Sequence, residues 1–129
     1  MLIRAHICLL LLGLCAATSF AASYQGAVVV IGEQAAPIEK RVAALLAERI
    51  AEPSGLRVSV TAQPPAPEAS VLPILLGIPS HHAELRREME SRRIPPLTGL
   101  APGPEGFPVQ TPGAGSGIRV LAAGIDERG

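Results

Sequence analysis

Apolar and polar positions change period several times along this chain, and each change marks an element. Ala27-Val28-Val29-Val30-Ile31 is an unbroken apolar, mostly β-branched run ending at Gly32, which suits a strand buried on both faces. From Ala35 to Glu52 the period becomes helical. Ile38, Val42, Leu45, Leu46 and Ile50 form one stripe, Pro37 suits the first helical position and Glu39 sits in the first turn. Pro53, Ser54 and Gly55 are expected to end that helix. Leu56 to Ala62 alternates apolar and polar residues, the mark of a strand with one solvated face. Gln63 to Ser70, with three prolines, reads as a surface loop.

Val71 to Gly77 is again continuously apolar and reads as a buried strand. Pro73 lacks a backbone donor, so it is expected at a strand start, an edge or a bulge. Ser80 is placed to cap a short helix from His81 to about Arg92, with Leu85 and Met89 facing inward. Ile94-Pro95-Pro96 ends it, and a connection rich in Gly and Pro leads to Gly106. Phe107 to Thr111 and Ile118 to Ala122 then form a closing hairpin. The expected order is β-α-β-β-α-β-β, an α+β fold with a small mixed sheet of about five strands and two helices packed on it.

The start of the sequence changes the compartment. Arg4, the apolar run Ile7 to Ala17, and small residues at Ser19 and Ala21 follow the order of a secretory signal peptide. Residues 1–21 are read as that leader, with cleavage after Ala21, and residues 22–129 as the exported domain, periplasmic or extracellular. The apolar run is shorter than the roughly 20 residues that span a bilayer as a helix, so no stable membrane anchor is expected. Leu14 is too bulky for the position before a lipidated cysteine, which sets aside Cys15 as a lipid attachment point.

Cys8 and Cys15, the only two cysteines, both lie in the leader. The mature domain therefore has no disulfide, thiolate metal site or cysteine nucleophile. With Arg4 removed, ten basic residues face eleven acidic ones (11 − 1 against 11), which gives no electrostatic case for nucleic acid. Beyond the leader the only aromatics are Tyr24 and Phe107, too few to build a stacking platform for sugars or bases.

Candidate chemistry is thin. Adjacent residues such as His81 and His82 diverge by about 100° on a helix, and His6 is lost with the leader, so the pair reads as helix-start surface rather than metal ligands. Arg86, Arg87, Arg92 and Arg93 alternate with Glu84, Glu88 and Glu90, a solvated face of mixed sign. Gly32-Glu33-Gln34-Ala35 sits where a dinucleotide loop would, without its second and third glycines. Ser116 and Asp126 lack a nucleophile elbow. Nothing in the spacing of Glu33, Glu105, Asp126 and Glu127 selects a carboxylate pair for glycoside hydrolysis. No catalytic, cofactor-binding or metal-binding residue is expected in this chain, and no cofactor.

Glu105-Gly106-Phe107, a short gap containing a turn, and an apolar strand ending Gly124-x-Asp126-x-Arg128-Gly129 resemble the N-terminal domain that precedes the catalytic barrel of glycoside hydrolases of the alpha-glucuronidase and beta-hexosaminidase type. Val28 to Gly32 resembles that domain's first strand, Ala43 to Ile50 its first helix, Ser54-Gly55-Leu56 the turn into the second strand, and Ile74 to Gly77 the strand before the second helix. Pro108 and Ile125 depart from the pattern, where a strand former and a small residue are usual. The resemblance spans residues 27–129. It implies a non-catalytic accessory domain of an exported enzyme of polysaccharide breakdown, whose partner is a catalytic barrel normally in the same chain. The acid/base and nucleophilic residues would lie on that barrel, after a helix following Gly129, so the chain is read as a fragment, inactive alone. The resemblance also implies an exposed apolar patch near Val120 and Ala122. The alternative is a free-standing secreted binding or interaction module.

Overall fold

A computed structural model describes residues 23–66, 70–98, 103–113 and 117–126. The leader, Ser116, Glu127, Arg128 and Gly129 lie outside the described residues.

The elements are β1 (Gly26–Val30), α1 (Pro37–Ser54), β2 (Arg57–Thr61), β3 (Val71–Gly77), α2 (Ala83–Glu90), β4 (Val109–Gln110) and β5 (Val120–Ala123). They build one five-stranded sheet in the order β2-β1-β3-β5-β4. β1 pairs in parallel with β2 and β3, β3 in parallel with β5, and only β4 runs antiparallel. The expected α+β architecture, element order and closing hairpin are present.

The connections explain where the helices lie. The β1-α1-β2 crossover steps one way along the sheet and β3-α2-β5 the other. Right-handed crossovers in opposite directions put their helices on opposite faces, and the core is accordingly divided in two. On the α1 face, Ala27, Val29 and Ile31 pack with Ile74 and with Ala43 and Ala47 of the helix. On the α2 face, Val30, Leu75, Leu121 and Ala123 pack with Leu85 and Ile94. Alternate residues of β1 enter alternate cores, which is why its sequence is apolar at every position.

Local chemistry moves several boundaries. α1 runs through Pro53 and Ser54 and stops at Gly55, whose φ of 66° takes the left-handed turn while its N–H bonds Ala51 O. Pro53 lies in the last turn, where it costs the one ladder bond its missing N–H would make to Arg49 O and leaves the rest of the helix intact. α2 begins later than expected, and its N-cap is His82, not Ser80. The His82 ring accepts the Leu85 N–H at 3.4 Å. Pro73 lies within β3 opposite Val28, but β5 begins pairing only at Ile74. β3 therefore has an open side at Pro73 that accommodates the missing donor. The β4–β5 pair is shorter than the expected hairpin and pairs Val109 with Ala122 and Gln110 with Leu121.

Candidate functional site

In doubly wound sheets a ligand enters the crevice at the carboxyl ends of the strands, where neighbouring crossovers diverge. Here that point lies between β1 and β3, and the loops that follow them fill it. A Cβ on Gly32 would sit 1.9 Å from His81 O, so the β1–α1 turn and the β3–α2 loop touch backbone to backbone. The Gly32-Glu33-Gln34-Ala35 turn thus supports packing in the place where a phosphate cradle would need open space.

Glu39 binds the two loops together. It projects from the first turn of α1 and is only 7% exposed. Oε2 accepts the Ala36 N–H at 2.7 Å and meets His81 Nδ1 at 2.8 Å, while Oε1 accepts the Ile78 N–H at 3.0 Å. Ala36 has no side chain to return the bond, so this is half a capping box. Gly77 permits the approach, since a Cβ there would lie 2.8 Å from Glu39 Oε1. Burial by itself would raise the Glu39 pKa. The Ala36 N–H, the His81 ring, the Ile78 N–H and the His81 charge together outweigh it and hold the carboxyl below its ordinary value.

His82 is 2% exposed, which corrects the reading of both histidines as surface residues. Its Nε2–H donates to Val30 O at 3.1 Å, leaving Nδ1 as the acceptor for Leu85. Burial lowers its pKa, against the Val30 hydrogen bond and the charges of Glu84 and Glu39, which favours the neutral ring that the two hydrogen bonds require. His81 is half-buried. Among the described residues no three of His, Cys, Asp and Glu are grouped to hold a metal ion.

The charged face of α2 also needs correction at one position. Glu84 pairs with Arg87 at the surface as its spacing allows. Glu88, in contrast, is 3% exposed. It takes Arg93 Nη1 on both oxygens at 3.0 Å and Arg119 Nη1 on Oε1 at 2.8 Å. This clamp joins the end of α2 to the approach to β5. Sequence spacing could not reveal it, because Arg119 is 31 positions away. Every buried side-chain nitrogen and oxygen among the described residues has a partner.

Of the remaining acids, Glu127 lies outside the described residues. Glu33 is exposed, and Asp126 Oδ2 accepts the Glu105 N–H at 3.4 Å. With the Ile125 N–H on Gly106 O and the Gly124 N–H on Gly77 O, this contact brings Glu105-Gly106 and Gly124-Ile125-Asp126 into one lip at the carboxyl end of the sheet. Beside it runs a groove of about 540 Å³ between α1 and the β5 side of the sheet. Ile38, Val42, Leu46, Leu76, Phe107 and Ala122 form its apolar walls. Ala122 thus lies in an open apolar surface, whereas Val120 is packed against the α1-side core. The most exposed large apolar residues on that side are Phe107 at 60% and Val109 at 55%. No helix among the described residues is long and apolar enough to cross a membrane. No family model, curated protein or solved structure matches this chain.

Proposed function

We propose that this protein is a non-catalytic accessory domain of an exported glycoside hydrolase, packing against a catalytic barrel whose residues perform the hydrolysis. The observation that carries the reading is the lip at the carboxyl end of the sheet. The two separated halves of the Glu105-Gly106-Phe107 and Gly124-x-Asp126 pattern meet there through the Glu105–Asp126 and Ile125–Gly106 hydrogen bonds. Phe107 and, on the edge strand β4, Val109 stand exposed next to it, where an adjoining domain would bury them. The filled crevice adds support, because Glu39, His81 and His82 already hold the fold together with the atoms that chemistry would require. Export, with residues 1–21 removed, belongs to the same reading.

The open groove favours the alternative of a free-standing interaction module, and one set of measurements separates the two. The full chain is assayed on chromogenic uronides and N-acetylhexosaminides and titrated calorimetrically with oligosaccharides. The reading frame around the codons for residues 1–129 is sequenced in both directions. The accessory-domain reading expects no turnover, no saturable heat and a barrel-coding segment in the same transcript. Enzyme-like turnover, or saturable sugar binding with no barrel encoded nearby, overturns it. N-terminal sequencing of secreted material is expected to begin at Ala22.

A further inference from the structure

The outward face of α1 carries an apolar strip that the domain itself does not cover. Ile38, Val42 and Leu45 are 39%, 44% and 52% exposed. Their spacing of four and three residues puts them on one line down the helix. Ile38 and Val42 also form a wall of the open groove, so the strip and the groove are one continuous surface. Arg41, Glu48 and Glu52 border the strip on the side away from the groove, Arg49 continues its line one turn beyond Leu45, and all four are exposed. Among the described residues neither Arg41 nor Glu48 takes part in an ion pair.

We propose that this face is a dimerisation surface and that its occupant is α1 of a second copy of this chain, lying antiparallel across it. The distribution of charge selects both the partner and the direction. Arg41 and Glu48 are seven residues apart, two helical turns on the same border. In an antiparallel pair crossing near Ala44, Arg41 of each copy faces the second copy's Glu48, while Val42 faces the second copy's Leu45. Two equivalent ion pairs then flank an apolar contact, as a two-fold axis requires. A parallel arrangement would instead set the Arg41–Glu48 border of each copy against the Val42–Leu46 side of the other, where neither charge finds a partner. The contact uses α1, whereas the accessory-domain reading uses the β4–β5 lip, so either can fail without the other.

The test is charge reversal in the full chain, read by sedimentation equilibrium at low salt. Arg41, Leu45 and Glu48 are exposed, so the substitutions leave both cores intact. Wild type is expected to show a concentration-dependent monomer–dimer equilibrium, and Leu45→Glu to be monomeric. Arg41→Glu alone and Glu48→Arg alone each turn two attractions into two repulsions and should weaken the dimer roughly tenfold. The Arg41→Glu/Glu48→Arg double variant restores wild-type association, and an equimolar mixture of the two single variants forms a heterodimer. A wild type that stays monomeric up to about 1 mM, beyond the range of even a small specific interface, overturns the proposal. So does a double variant no tighter than the single ones, or a Leu45→Glu protein that still dimerises.

Discussion

Replacing Glu39 tests whether the loops at the carboxyl end of the sheet are held by one carboxylate. In Glu39→Ala the Ile78 N–H loses its acceptor inside the fold, at about 1–3 kcal/mol for an unsatisfied buried donor. The bond from the Glu39 carboxylate to Ala36 at the start of α1 contributes about 1 kcal/mol. The link to the half-exposed His81 adds less than about 1 kcal/mol after solvent screening. The expected loss is about 2–5 kcal/mol. Glu39→Gln keeps one oxygen for either N–H but presents an amide where the second oxygen stood, so it should cost about 2 kcal/mol. For a domain of this size that lowers the melting temperature by about 10 °C.

Urea unfolding followed by circular dichroism measures both variants, and its pH dependence adds a second reading. Because the folded pKa of Glu39 lies below its unfolded value, its stabilisation is fully present above the unfolded pKa. It is lost as pH falls through the folded one. Wild type should therefore lose stability on that acid limb and Glu39→Gln much less. A Glu39→Gln protein within about 0.5 kcal/mol of wild type, the range of an ordinary surface change, would refute the reasoning. Parallel acid limbs in the two proteins would do the same.

Three further outcomes follow from neighbouring contacts. Gly32→Ala drives a Cβ into His81 O and should cost about 3 kcal/mol or prevent folding, read as melting temperature or soluble yield. His82→Ala removes the donor to buried Val30 O and the cap on Leu85, for about 2–3 kcal/mol in urea. With the folded pKa of His82 depressed, wild type also loses stability as pH drops below the ordinary histidine value towards the folded one, a limb that His82→Ala should lack. Arg119→Ala should cost about 1 kcal/mol because Arg93 still pairs with Glu88. Glu88→Ala loses both pairs and should cost about 2–3 kcal/mol, its half-exposed arginines regaining water; chemical denaturation ranks the two.

Much of the architecture was legible because the parallel strands declare their burial. β1 and β3 are apolar at consecutive positions, and both lie in the interior of the sheet, while the alternating β2 stands at its edge. What escaped notice depended on contacts between distant segments. Ile94 follows α2 in a Pro-containing stretch with no periodicity, yet it is fully buried against β5 and Leu85. Glu39 and Glu88 sit on helices whose charge patterns look like surface, and only the folded chain supplies Ile78, His81, Arg93 and Arg119 as their partners. His82 was misread for a related reason. A histidine at a helix start resembles solvent-facing polarity until the Val30 carbonyl is brought beneath it.

The place of β1 in the sheet also sets a timetable. It is the first of the described strands to be made and an interior one in the sheet, and both its neighbours come later in the chain: Val29 must wait for Val60 on one side and Ile74 on the other. The second wait spans 45 residues (74 − 29), about two to nine seconds of synthesis at typical rates. Throughout that interval Ala27 to Ile31 keeps at least one open side, and it is an uncharged, mostly β-branched segment, the kind most prone to pair with another copy of itself. Faster completion of β3, or a chaperone that holds the emerging chain, would therefore raise the yield of native protein without changing its stability.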